Sequence, residues 1–540
     1  MVRHLYRAYL YAVCVILLII ATTTTGVSLS LLLTATSLRG PYGSPPGRTQ
    51  LVQALVALVV VWLVTLLLGG LHYWLIRRDM ASDSAAGGGA VRSFFLNVTQ
   101  MFAALFAIGF ATAGIASLEN QYNAPIGFLS TALATGGLFV LLQLERMRTH
   151  VATPRALTLQ RLHLYGAQLG IVLIAAPFWS RATETSVLYT LTRIGAFDPC
   201  VYYYAGSFCS QSAYYHPRQV VAEWAAAFFI AACWAGYTAF TRHDYRSRLR
   251  QVAHLLALGY AVAFALSGAQ RIIYAALLKA VGHPLPNGQL AQSTGTALGP
   301  LVFGIVAFLA YRWLSAREAP SLPSGMPAAT YVQWALYAII CAFPFWVGVQ
   351  SLLSAVVERV VPAGTHADAV TFAQAGSQVV TGLPFVVLAL FLGMGAQQSG
   401  VSWPHRIFVL VLLAGGVIDG ATGMVFALQA FGSTVLGAPP SEWQHAVRTG
   451  LVMLLVGGTM VGIFLTVAAR NHYLGARHEP KPDEARLISA DTQPVMTPDG
   501  AAGVAVSESE PLEAILDALL AGRVTRDEAA ARIRAREGIH

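Results

Sequence analysis

A chain of 540 residues that is 56% hydrophobic and only 11% charged cannot clothe its own surface in polar side chains; ordinary soluble domains carry about 25% charged residues. The mean hydropathy of +0.59 and apolar runs longer than the roughly 18 residues that separate a membrane span from a core helix exclude a soluble globular fold. The net charge of +9 is unevenly placed: twelve acids and eight bases follow residue 474, so the apolar part carries +13 and the tail −4. That distribution belongs to a membrane protein whose partner is the lipid bilayer, and nucleic acid is not expected.

In chain order, runs long enough to span fall at about 7–36, 51–76, 94–118, 126–145, 160–180, 219–241, 251–280, 296–314, 331–356, 371–395, 405–431 and 447–469. They predict an all-α bundle of about twelve transmembrane helices. Arginines gather at Arg3 and Arg7, at Arg77, Arg78 and Arg92, at Arg146 to Arg161, at Arg242 to Arg250, at Arg312 and Arg317, and at Arg470 and Arg477. These clusters alternate with poorer loops at 119–123 and 281–295. The positive-inside rule then places both termini in the cytoplasm of a bacterial inner membrane.

Three helices open alike, at Leu10-Tyr11-Ala12, Leu164-Tyr165-Gly166 and Leu336-Tyr337-Ala338. Each begins a group of four that closes on a helix rich in small residues and leaves the membrane at Arg146, Arg312 or Arg470. Tyr11, Tyr165 and Tyr337 thus mark three tandem four-helix repeats, over residues 1–157, 158–325 and 326–474. An even number of spans per repeat makes the copies parallel, unlike the inverted repeats of many carriers.

Beyond the membrane part, 475–508 is rich in Pro, Asp, Glu and Ser and reads as a flexible linker. In 509–540, Leu512, Ile515, Leu516, Leu519 and Leu520 form a helical stripe that stops at Gly522, and Thr525 with Glu528 forms a capping box for a second helix. So short a pair buries little core alone, and its stripe predicts self-association or a protein partner.

The repeated quartet, with its Leu-Tyr opening and arginine exit, resembles a bacterial polytopic membrane repeat family known as a domain of unknown function, class 5671. The tail from Pro511 to Glu528 is similar to the short C-terminal (SHOCT-type) domain of bacterial membrane proteins. The first resemblance implies no activity; the second implies an assembly role. Ala529 and Ala530 stand where members of the second family more often carry a bulky apolar residue.

Charges at membrane depth cost roughly 2.5–3.5 kcal/mol each and persist only with a partner, water or a task. Arg271, Glu223 and Asp419 qualify, and form the candidate intramembrane polar site. Arg271 and Glu223 stand at similar distances from the loop joining their helices, which predicts a pair between them; Asp419 is the alternative partner. Such a trio serves either a proton, ion or anionic substrate, or helix registry. Cys200 and Cys209 flank an aromatic loop within 181–219 and predict a disulfide on the outer side. His72, His163 and His254 share no helix at the spacing of paired haem ligands. No metal-ligand, P-loop or nucleophile-elbow spacing occurs in the sequence, so neither cofactor nor metal is expected.

The reading that follows is a non-enzymatic membrane protein, a scaffold or sensor built from four-helix repeats. A small-solute, ion or proton transporter or channel is the alternative, and a redox subunit or lipid-modifying enzyme the third.

Overall fold

A computed structural model describes residues 2–36, 43–83, 89–119, 124–148, 154–196, 216–242, 244, 247–285, 287–318, 328–360, 368–399, 403–437 and 443–473. The expected Cys200–Cys209 disulfide, the linker 475–508 and the pair 509–540 lie outside these residues. The described chain is helical throughout. Its helices are α1 (Val2–Thr34), α2 (Arg48–Ser82), α3 (Ala90–Ala116), α4 (Ala124–Arg148), α5 (Pro154–Arg193) and α6 (Pro217–Phe240). They continue as α7 (Arg248–Ala280), α8 (Asn287–Glu318), α9 (Ala328–Val360), α10 (Ala369–Gly382 and Pro384–Ser399), α11 (Trp403–Val435) and α12 (Trp443–Arg470). Twelve spans among them are long and apolar enough to cross a membrane, which makes this a multi-pass membrane protein.

Several helices outrun their apolar centres. The segment 181–193, expected as part of an outer loop, continues α5, and α8 begins at Asn287 where a loop was expected. Hydropathy sees only the greasy middle of a helix, whereas a polar stretch can continue it while its hydroxyls are satisfied by carbonyls one turn earlier. Thr183 donates to the Trp179 carbonyl at 2.9 Å, Ser186 to Ala182 at 2.7 Å and Thr190 to Ser186 at 2.8 Å. In α2 a π-helical turn at Thr65–Gly69 interrupts the regular winding. The two halves of α10 meet at Leu383, ahead of Pro384, whose ring nitrogen has no hydrogen to give the preceding turn.

Helix neighbours follow one scheme. Within each successive quartet the first helix lies against the second, third and fourth, and the third lies against the fourth. Between quartets the third helix lies against the first and second helices of the next: α3 against α5 and α6, α7 against α9 and α10. At the first junction Gly170 faces Leu105; at the second, Gly259 faces Leu336 and Ile340. Buried alanines, leucines and aromatic rings fill the interior, with Leu258, Phe303 and Tyr337 in one cluster and Phe385, Phe408 and Phe464 in another.

In the second and third quartets the third and fourth helices approach backbone to backbone. A Cβ on Gly268 of α7 would stand 2.5 Å from the Ala297 carbonyl oxygen and 2.7 Å from the Leu301 nitrogen; one on Gly423 of α11 would stand 2.6 Å from the Gly450 oxygen and 2.7 Å from the Leu454 nitrogen. One turn or two away the crossing recurs, with Gly304 against Ala261 and Ala265, and Gly457 against Gly416 and Gly420. The α7–α8 and α11–α12 hairpins therefore share one packing register.

Candidate functional site

One end of the bundle carries the N-terminus and Arg470, and is called the termini end here. There the first helix of each quartet presents a polar side chain one turn ahead of its tyrosine: Arg7 before Tyr11, Arg161 before Tyr165, Gln333 before Tyr337. The third residue of each third helix is also basic or imidazole, as Arg92, Arg250 and His405. All three are buried. A spacing of four residues puts the first pair on one helix face, and a place in the first turn of the third helix puts the other residue at the same end.

In the first quartet Arg7 grips the end of α2 twice, Nε to Asp79 Oδ2 at 2.6 Å and Nη2 to Asp83 Oδ2 at 2.8 Å. Tyr11 stacks on Phe95 with ring centroids 6.0 Å apart, and its hydroxyl faces the Met80 sulfur at 4.0 Å. Arg92 donates to Glu145 Oε1 at 3.2 Å, tying α3 to α4, and Tyr73 donates to the same carboxylate at 3.0 Å. A cavity of about 320 Å³ is enclosed by Arg7, Tyr11, Ile76, Asp79, Asp83 and Arg92 together with the first turn of α3. Charged walls and partial enclosure make it a polar recess of ligand-pocket size.

In the second quartet Arg161 Nη2 donates to Asp244 Oδ1 at 2.9 Å, and Tyr165 donates to Oδ2 of the same residue at 2.6 Å. Arg250 donates to the Thr241 carbonyl, closing the turn between α6 and α7. In the third quartet Gln333 accepts from Arg312 of the preceding quartet at 2.9 Å, and the Tyr337 hydroxyl has no hydrogen-bond partner among the described residues. His405 Nδ1 lies 2.7 Å from the Tyr473 hydroxyl. Burial holds that phenol above its ordinary value, so it keeps its proton through neutral pH.

Of the charges singled out from the sequence, Glu223 and Arg271 stand toward the far end of the bundle and Asp419 at the middle of α11. Glu223 is paired with Arg181, whose Nε lies 3.1 Å from Oε1, and not with Arg271. Sequence reasoning ended the fifth span at 180 and so left Arg181 out of reach; the longer α5 brings it in. Arg271 donates to the Thr296 carbonyl at 3.0 Å on the neighbouring α8. Asp419 stands on α11, half-buried, with no ion-pair or hydrogen-bond partner among the described residues. The three do not converge into one paired site. Past the end of α3, burial raises the Glu119 carboxyl, with His216 opposing the shift.

A second far-end pair was not anticipated. Arg448 of α12, almost wholly buried, reaches Glu358 of α9 at 3.2 Å and His445 at 2.8 Å. The signal available was an arginine early in an apolar run facing an acid at the end of another. His163 and His254 are buried on α5 and α7, the latter edge-on to Tyr311 at 5.4 Å. Among the described residues no three His, Cys, Asp or Glu side chains lie together as metal ligands would.

Compared with known proteins, the chain matches no family, no curated protein and no solved structure.

Proposed function

We propose that this protein is a non-enzymatic scaffold or sensor of the bacterial inner membrane, with both termini cytoplasmic. In this reading it comprises three tandem four-helix repeats, 1–157, 158–325 and 326–474, of the class 5671 kind, tethered through 475–508 to a SHOCT-like assembly pair at 509–540. The observation that carries it is the recurrence of one polar cap at the termini end: Arg7, Tyr11 and Arg92; Arg161, Tyr165 and Arg250; Gln333, Tyr337 and His405. In the first two copies the caps' carboxylates are engaged by arginines that tie helix ends together, a use of charge suited to registry. The common neighbour scheme of the quartets supports the same reading.

A transporter or channel is the second reading, favoured by two groups without partners among the described residues: Asp419, which makes no ion pair there, and the buried Glu223 Oε2, which makes no hydrogen bond there. Purified protein in vesicles carrying a pH-sensitive dye separates the two. The scaffold reading expects proton and cation leak equal to that of empty vesicles for the wild type and for Asp419→Asn. A wild-type flux abolished by Asp419→Asn overturns it. The assembly role of the tail is tested by Leu516→Asp with Leu519→Asp in the full chain, which should change the assembly state and leave insertion intact.

A further inference from the structure

The two outer edges of the bundle are the two halves of a junction the chain makes twice internally. At both internal junctions a third helix lies along the groove between the first and second helices of the next quartet. Between α1 and α2 lies an open groove of about 430 Å³, whose walls include Thr23, Thr24, Val27, Gln50 and Gln53 and which no described helix fills. At the opposite edge, no described helix covers the matching face of α11, also a third helix. The packing register shared by the two hairpins matches Gly259 of α7 to Ala414, Leu266 to Ala421 and Leu277 to Gly432.

The matched face of α11 is exposed at Ala414, Ala421, Val425 and Leu428, whose α7 counterparts Gly259, Leu266, Gln270 and Ile273 are buried or half-buried. On α7 the corresponding face is covered: Gly259 meets Leu336 and Ile340, and Leu277 meets Gly376 of α10. Gln429, one turn below Gly432, is exposed on α11, and Gln53 is exposed near the start of α2. Neither side chain makes a hydrogen bond with a described residue. Lipid tails offer an amide no partner, whereas a facing amide on another helix does.

We propose that a second copy of this chain docks head to tail, its α11 entering the α1–α2 groove as α3 and α7 enter theirs. The inference rests on reading the quartets as equivalent units. The contact is heterologous: it leaves one free edge on each copy, so it builds a closed ring or an open row and not a two-fold pair. A stack of repeats leaves an uncovered contact face at each end unless that end is capped.

The test is oxidative cross-linking of the full-length chain in native membranes. Copies carrying Gln53→Cys are co-expressed with copies carrying Gln429→Cys, and a separate chain carries Leu105→Cys with Gly170→Cys across the first internal junction. The proposal expects an inter-copy band when both single variants are present and none beyond the wild-type background with either alone. Ala421→Trp, which enlarges a lipid-exposed position, should weaken that band about tenfold at unchanged yield. If the internal bond forms and the inter-copy band does not, head-to-tail docking is overturned and the repeat reading stands. If the internal bond also fails, the repeat reading falls with it. A strong band from Gln429→Cys alone means face-to-face pairing and likewise overturns the proposal.

Discussion

The phenol of Tyr165 donates a 2.6 Å hydrogen bond to Oδ2 of Asp244, while Arg161 holds the other oxygen of that carboxylate. Tyr337, at the matching place in the last quartet, packs against Phe308 and Trp334 with its hydroxyl unpartnered among the described residues. The same residue type therefore contributes through its oxygen in one place and through its ring in the other. Tyr165→Phe should destabilise the detergent-solubilised protein by about 1–2 kcal/mol, the worth of a hydrogen bond to a charged acceptor. Tyr337→Phe should fall within about 0.5 kcal/mol of wild type, because only an unbonded oxygen is lost. Reversible unfolding in mixed micelles measures both, and an equal loss from the two would refute the distinction.

Arg7 and Arg161 make the same kind of contact in different surroundings. The Arg7 side chain is 12% exposed and spans two carboxylates, whereas that of Arg161 is 47% exposed and meets one. Truncating Arg7 takes from Asp79 and Asp83 the guanidinium they share beside a partly closed cavity; truncating Arg161 leaves Asp244 with Tyr165 and water. Arg7→Ala should therefore cost about 2 kcal/mol and Arg161→Ala about 0.5 kcal/mol. Asp79→Asn with Asp83→Asn, added to Arg7→Ala, should recover most of the loss. Thermal midpoints of the four proteins decide it, and a failure of the added substitutions to restore stability would point to lost packing of the arginine stem instead.

How much of this was readable beforehand depended on the length scale of the signal. The spans are written in runs of some twenty apolar residues, and the twelve helices fell where those runs lie. Tyr11, Tyr165 and Tyr337 were visible as a recurring dipeptide. The arginines four residues ahead are equally legible, yet they read first as orientation markers, and Gln333 breaks the pattern in the third quartet. Arg92, Arg250 and His405 are harder to see, because three different connections precede them and one is an imidazole. Glu223 was recognised as a membrane-depth charge but given the wrong partner. Hydropathy truncates α5 at 180, and Arg181 lies one residue beyond.

Arg448 and Glu358 supply a buried pair between the first and last helices of the third quartet. The arginine side chain is 6% exposed, and its Nε and Nη1 find no hydrogen-bond partner among the described residues. Removing the acid alone leaves a nearly dry guanidinium, while removing both charges relieves that cost. Glu358→Gln should thus destabilise by about 3 kcal/mol, and Arg448→Met with Glu358→Gln by clearly less. A double-mutant cycle on reversible unfolding reads the coupling, and additivity of the two single substitutions would show that the pair contributes nothing specific.

Glycines of the last hairpin divide sharply by what faces them. At Gly423 an added Cβ would press on the Gly450 carbonyl oxygen at 2.6 Å and the Leu454 nitrogen at 2.7 Å, atoms of a neighbouring backbone that cannot rotate away. At Gly458 and Gly462, which share the same small-residue spacing in the sequence, a Cβ would meet nothing within 4 Å. Gly423→Ala must part α11 from α12 by several tenths of an ångström along a crossing that also includes Gly416, Gly420 and Gly457, whereas Gly458→Ala adds a methyl group to open surface and removes backbone freedom from the unfolded chain. The first substitution should cost about 1–3 kcal/mol, and the second should be neutral or stabilising by up to about 1 kcal/mol. Thermal stability of the two single variants, purified side by side, checks the sign of each; a stabilising Gly423→Ala would mean that the helices do not cross where the glycines place them.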